Sequence, residues 1–187
     1  MKELSLNILD IAQNSVKADA KNIVIDLTEE GPLLTLRITD DGKGMKKDFL
    51  EKVFDPFTTT RTTRSVGLGL PLLKMASEAT GGTMTIESKD AESYPSDHGT
   101  VVCATFRTDH IDCPPLGDIV STVVLLIQSS PFEPNWTYTH KVDGRESCLD
   151  TYSLHEQLGS DIPLDAPEIL AFVRDFLEEG EKMLYDE

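Results

Sequence analysis

The chain has 187 residues, 39% of them hydrophobic, and a formal net charge of −16 at pH 7, enough for one good core with a smaller appendage. So acidic a chain gains nothing from releasing counterions on a polyphosphate, which excludes non-specific nucleic-acid binding. No stretch approaches the roughly twenty uncharged apolar residues of a membrane span, and the N-terminal MKELSLNILDIAQNS carries Glu3, Asn7 and Asp10 within its apolar pattern, unlike a signal peptide.

Leu4, Ile8, Ile11, Ala12 and Ser15 recur at helical spacing, so the chain opens with an amphipathic helix ending at Lys17. Asp10, Asn14 and Lys17 stand at i, i+4 and i+7 and share one of its faces. A carboxylate, an amide oxygen and an ammonium so grouped suit a base, a Mg²⁺ ligand and a phosphate contact, because magnesium prefers oxygen ligands and keeps waters and phosphates in its shell. The same three residues also read as the polar side of a surface helix. Next, Ile23, Ile25 and Leu27 alternate with polar neighbours, as do Leu34, Leu36 and Ile38, and Glu30-Gly31-Pro32 makes the turn of a hairpin.

The loop TDDGKGM follows. Asp40 ends the second strand, and Gly42 and Gly44 form a turn too tight for side chains, which holds the carboxylate at a pocket wall. There it can accept a hydrogen bond from an exocyclic amine such as adenine N6; a solvated Asp-Gly turn is the plainer reading. A short helix over residues 47–53 leads to FDPFTTTRTTRS, a polar loop without clear periodicity. SVGLGLPLLK then sets Gly67 and Gly69 one residue apart, directly before a helical stripe of Leu68, Leu72, Leu73, Ala76 and Ala79 with Pro71 in its first turn. Bare backbone at the positive end of a helix suits a phosphate. No third glycine completes a dinucleotide turn, and no Gly-Lys-Ser/Thr completes a P-loop.

GGTMTIES and GTVVCATF read as a second hairpin around KDAESYPSDH. The order α, β, β, α, loop, α, β, β predicts an α+β fold, a two-layer sandwich with helices on one face of a mainly antiparallel mixed sheet. CPPLGD marks a boundary, dividing the chain into a domain over residues 1–112 and an α+β extension over 113–187. In the extension, Ile119, Val120, Val123, Val124, Leu126 and Ile127 fit a helix capped by Asp118. Trp136, Tyr138 and His140 alternate as a strand, Asp143-Gly144 is a hairpin turn, and residues 165–187 form a final amphipathic helix. Residues 108–187 hold 4 Lys+Arg against 17 Asp+Glu, either a solubilising surface or a docking face for a basic partner. Three cysteines, Cys103, Cys113 and Cys148, without Cys-x-x-Cys spacing, point to a reducing, cytoplasmic setting rather than disulfides or zinc.

Taken in order, LNILDIAQNSVKADAKNIVIDL, RITDDGKGM, VFDPFTTTR, VGLGLPLLK and GGTMTIES with HGTVVCATF resemble the asparagine, first glycine, phenylalanine and second glycine boxes and the closing threonine of the histidine-kinase-like ATPase (GHKL) family. That family includes gyrase-type topoisomerases, a heat-shock chaperone, MutL and the catalytic domain of sensor histidine kinases, and the resemblance covers about Leu4 to Phe106. It implies a Bergerat-type fold that binds ATP and Mg²⁺. Asn14 matches the Mg²⁺-binding asparagine, and Lys17 the lysine that family kinases place on phosphate. Asp40 matches the adenine-binding aspartate, with Gly42, Gly44 and Met45 its turn, and Thr100 the threonine that reaches adenine through water. Phe54 and Phe57 match the hydrophobic box under the nucleotide lid. Gly67, Leu68 and Gly69 match the lid hinge whose N–H groups meet the phosphates. Arg61 and Arg64 fall in the lid, either as phosphate-contacting cations or as solvated residues.

Asp10 stands where the ATPases of the family place a water-activating glutamate; it is one methylene shorter, which implies slow hydrolysis. A sensor kinase carries its phosphoacceptor histidine before this domain, whereas here the motifs begin almost at Met1. Only His155, followed by Glu156, resembles a phosphoacceptor His-Glu pair, and it follows the domain; an exposed tail histidine is the plainer reading. The expectation is therefore a stand-alone kinase of signal transduction, acting on a separate, unidentified protein, with Asp10, Asn14 and Lys17 carrying the chemistry. A nucleotide-gated regulatory binding module and a slow ATPase are the alternatives. No nucleic acid and no membrane span are expected, and homodimerisation is left open.

Overall fold

The computed structural model describes residues 3–54 and 69–186. Helix α1 (Leu4–Lys17) buries Leu4, Ile8, Ile11, Ala12 and Ser15, the stripe that the spacing predicts. It has no side-chain N-cap; the N–H groups of Leu4 and Ser5 donate instead to the carbonyls of Pro115 and Leu116 at 3.0 and 2.8 Å. A segment more than a hundred residues away thus satisfies donors that a helix start leaves orphaned. Strands β1 (Asn22–Glu30) and β2 (Leu33–Asp40) form the first hairpin, and β3 (Met84–Lys89) and β4 (Gly99–Arg107) the second. Helices α2 (Lys47–Leu50) and α3 (Gly69–Ala79) lie between them in the chain.

After the linker come α4 (Ile119–Ser129), β5 (Asn135–Val142), β6 (Arg145–Asp150), α5 (Thr151–Leu158) and α6 (Pro167–Tyr185). Asp118 caps α4 as expected, its carboxylate accepting from the Ser121 N–H at 2.8 Å. Asp143 and Gly144, with φ of 45° and 88°, turn β5 into β6 in the positive-φ geometry that a two-residue hairpin favours.

All six strands join one sheet in the order β3-β4-β2-β1-β5-β6. Every neighbouring pair is antiparallel except β1 with β5. This is the predicted α+β architecture, a mainly antiparallel mixed sheet under a layer of helices. The segment after Cys113 lengthens the same sheet by two strands, and its α4 packs beside α1. Side by side, α3, α1, α4 and α6 cover the face that carries Ile23, Ile25, Leu27, Leu36, Ile38 and Phe106. Each such side chain stabilises the fold by about 2 kcal/mol through burial. The other face carries Thr28, Thr35, Thr39, Thr105, Thr137 and Thr139, all partly exposed: β-branched residues hold a strand there without apolar burial. Among the described residues, no helix is long and apolar enough to cross a membrane.

One buried polar cluster fastens α6 to the sheet. His140 on β5 is fully enclosed, with Nδ1 2.8 Å from Glu181 on α6 and Nε2 3.1 Å from Glu29 on β1. Tyr138 donates to Glu181 at 2.8 Å and Tyr185 to Glu29 at 2.6 Å. Burial by itself disfavours the imidazolium, but the hydrogen bonds and charges of Glu181 and Glu29 outweigh it and raise the His140 pKa to about 9. The His140 hydrogen bond in turn holds the Glu29 carboxyl below its usual range.

A histidine whose folded pKa is raised stabilises fully below its unfolded value near 6.5, and that stabilisation is lost as pH rises through about 9. Glu29 contributes above its unfolded value near 4.5 and loses that contribution as pH falls. Urea denaturation should therefore find a stability maximum between about pH 5 and 6.5, with a decline towards pH 9. His140→Gln, which leaves two carboxylates without their cation, should lose about 3 kcal/mol at pH 6 and show a shallower alkaline decline. A wild-type curve that is flat from pH 6.5 to 9 would contradict this assignment of the charges.

Candidate functional site

Asp40 is the last residue of β2, and Thr100 lies directly across from it on β4. Partners across an antiparallel ladder share a face, so this register places carboxylate and hydroxyl side by side. The Asp40 carboxylate is fixed from two sides: Oδ1 accepts the Gly42 N–H at 2.9 Å, and Oδ2 accepts the Ser15 hydroxyl of α1 at 2.5 Å. An ionised carboxylate has about four lone-pair positions, so acceptor capacity remains for a ligand.

The second aspartate of the pair does different work. Asp41 accepts from the N–H groups of Lys21 and Asn22 at 2.7 and 2.9 Å and from the Asn22 amide at 2.7 Å. Burial would raise its pKa, but these hydrogen bonds outweigh burial and hold the carboxyl below its ordinary range. Asp41 is thereby committed to closing the start of β1.

Two glycines shape the turn. Gly44 has φ of +64°, and a Cβ there would stand 1.9 Å from the Lys89 carbonyl oxygen. At Gly42 a Cβ would approach the Ala18 carbonyl oxygen to 2.8 Å. The turn is then braced by groups that sequence spacing does not single out. His98 Nδ1 donates to the Gly42 carbonyl at 2.7 Å. Ser88 Oγ accepts the Met45 N–H at 2.8 Å, donates to Gly99 O at 3.0 Å and lies 2.9 Å from Thr100 Oγ1. Ala91 N–H donates to Lys43 O at 2.9 Å, and Lys46 pairs with Glu92.

On α1, Asp10 is half-buried while Asn14 and Lys17 are exposed. A Cβ on Gly69, the first residue of α3, would stand 1.9 Å from Asp10 Oδ2, so the carboxylate packs on bare backbone at that helix start. The C-terminal end of α1 reaches the glycine turn, where Lys43 N–H donates to Ala18 O at 2.8 Å. The predicted α1 face therefore runs from the beginning of α3 to the turn below Asp40. Phe54 is half-buried, and Lys74 of α3 places its ammonium 4.3 Å from the ring centroid. Phe57, Arg61, Arg64, Gly67 and Leu68 lie outside the described residues. Among the described residues, no group of three or more His, Cys, Asp or Glu side chains could hold a metal ion by itself.

Comparison with known proteins places the chain in a family. A family model described as Histidine kinase-, DNA gyrase B-, and HSP90-like ATPase matches residues 2–110, more than half of the chain. The DNA mismatch repair protein MutL of Clostridium beijerinckii is 35% identical over 91 residues, 46% of this chain and 14% of that protein. The sensor histidine kinase ZraS of Escherichia coli K12 is 32% identical over 87 residues, 46% of this chain and 18% of that protein. The chain thus spans less than a fifth of the length of these relatives. Among solved structures, the Aquifex aeolicus MutL ATPase domain complexed with ADP superposes with a TM-score of 0.53 at 16% identity, over 86% of this chain and 68% of that one, which speaks to the fold alone. The chain belongs to the histidine kinase-, DNA gyrase B- and HSP90-like ATPase family.

Proposed function

We propose that the chain binds ATP with Mg²⁺ between α1, α3 and the Asp40 turn and transfers the γ-phosphoryl group to a separate protein. The observation that carries this reading is the meeting of three elements. Asp40 and Thr100 stand side by side on β2 and β4, the Asp10–Asn14–Lys17 face of α1 borders them, and Gly69 opens α3 against Asp10. In this reading Asp40 accepts from adenine N6, with Thr100 beside it. Gly42, Gly44 and Met45 give the adenine a wall of backbone, and Phe54 and Phe57 line its apolar side.

Magnesium bound with a nucleotide takes one or two protein oxygens and fills its shell with water and phosphate. Exposed Asn14 fits the role of a single amide-oxygen ligand. Lys17 would neutralise phosphate oxygens, as would Arg61 and Arg64 by the family resemblance, and the N–H groups of Gly67, Leu68 and Gly69 would meet them. Phosphoryl transfer asks little covalent chemistry of a protein; positioning and charge do most of it. Asp10 would orient the acceptor. Three free cysteines, Cys103, Cys113 and Cys148, support a cytoplasmic, reducing setting.

An acceptor on another protein is favoured over His155. That residue lies on α5, which packs on β5, two strand positions from Asp40 on β2 and three from Thr100 on β4, or about 10 and 14 Å at ordinary strand spacing. The alternative of hydrolysis draws on the likeness to MutL, one of whose structures is described as an ATPase domain complexed with ADP.

Incubation with Mg²⁺ and ATP labelled at the γ-phosphate distinguishes these outcomes. Bound nucleotide with little free phosphate and no label on the chain is expected; rapid phosphate release would replace the kinase reading with an ATPase. Asp40→Asn should weaken ATP binding by about 10- to 100-fold, the worth of one charged hydrogen bond, as read by calorimetry. Asn14→Ala should abolish the Mg²⁺-dependent part of ATP binding while keeping much of the adenine affinity, and an undiminished Mg²⁺ dependence in calorimetry would remove Asn14 from the metal.

A further inference from the structure

Helix α6 turns one long face inward and leaves another that none of the described residues covers. Val173, Leu177 and Leu184 are buried, and Gly180 lies so near β6 that a Cβ there would stand 2.2 Å from Ser147 Oγ. Arg174 donates to Ser121 of α4 at 3.1 Å, so α4 occupies one flank. On the opposite flank, Phe172, Phe176 and Met183 are 56%, 42% and 64% exposed. At 1.5 Å per residue they form a stripe about 16 Å long, three turns of helix. The two phenyl rings stack at 27° with centroids 6.4 Å apart, an ordered apolar surface already in place.

Charge decides what such a stripe receives. Glu168, Asp175 and Glu179 stand four residues before, three after and seven after Phe172, on the same side of the helix, and all are exposed. A second copy of the chain would bring the same acidic border against this one, and an anionic bilayer would be repelled alike. An apolar stripe edged along its outer side by carboxylates complements an amphipathic helix of the opposite sign.

We propose that the Phe172–Phe176–Met183 face of α6 docks an amphipathic helix of a partner protein whose apolar stripe is bordered by lysine or arginine. The surface lies at the β6 end of the sheet, three strand positions from Asp40 on β2 and four from Thr100 on β4, so about 14 and 19 Å away at ordinary spacing. It stands apart from the nucleotide reading, and its test uses no nucleotide.

The experiment titrates the full chain into a dye-labelled peptide of leucine and lysine patterned as an amphipathic helix, with a leucine and glutamate peptide of the same apolar face beside it. Fluorescence anisotropy should show binding of the lysine peptide alone, with a gain in its helicity. F172S/F176S and E168K/E179K should each weaken that binding about tenfold or more while leaving the chain's own circular dichroism and melting unchanged. Equal affinity of wild type and F172S/F176S would reduce the contact to charge alone and overturn the proposal. So would a concentration-dependent dimer that F172S/F176S renders monomeric, or binding of neutral phosphatidylcholine vesicles through the same residues.

Discussion

A hydrogen bond of 2.5 Å from the Ser15 hydroxyl to the Asp40 carboxylate fixes the rotation of α1 over the sheet. Ser15 is buried beside Ile8, Ile11 and Ala12 of that helix. An enclosed hydroxyl without a partner is costly, so α1 is most stable when it aims Ser15 at the end of β2. With that rotation set, Asp10, Asn14 and Lys17 follow by helical geometry, and the β2–β4 register adds Thr100. The Gly42 N–H completes the hold on the carboxylate. Candidate adenine and phosphate contacts are thus placed by one helix whose orientation a side chain at the site itself controls.

Features with a local period were legible. The glycines beside Asp40, the alternating strands, the Asp118 cap and the Asp143-Gly144 turn all lie within a few residues of what they shape. Groups whose partners are remote were not. Ser88 meets Met45 from 43 residues away and His98 meets Gly42 from 56, so neither carries a signal in the spacing around it. In the sequence Asp40 and Asp41 are alike; three hydrogen bonds from Lys21 and Asn22 set Asp41 apart. His140 reads as one more inward residue of an alternating strand, because its carboxylates lie 111 and 41 residues off. The parallel pairing of β5 with β1 was hidden for the same reason.

That parallel pairing gives the later half of the chain a structural part in the earlier one. The Pro115 and Leu116 carbonyls close the start of α1, α4 packs along α1, and β5 covers the side of β1 that would otherwise be an open edge. The His140 cluster then draws the end of α6 against β1 through Glu29. What α6 leaves exposed is a different face from the one these contacts use. An apolar stripe can stay available to a partner because the anchoring of its helix rests on polar contacts and on Val173, Leu177 and Leu184.

The choice between hydrolysis and transfer turns on what Asp10 can reach. Its carboxylate packs on Gly69, where even a methyl group would not fit, and its side chain is one methylene shorter than a glutamate on the same helix position. A carboxylate held back against a helix start is poorly placed to follow a small water into line with a terminal phosphate. Water makes the heavier demand, since it must lose a proton to become a competent nucleophile. An imidazole acceptor carries a free lone pair when neutral and needs only orientation. A short carboxylate packed against Gly69 therefore costs an attack by water more than it costs an acceptor that needs only orientation.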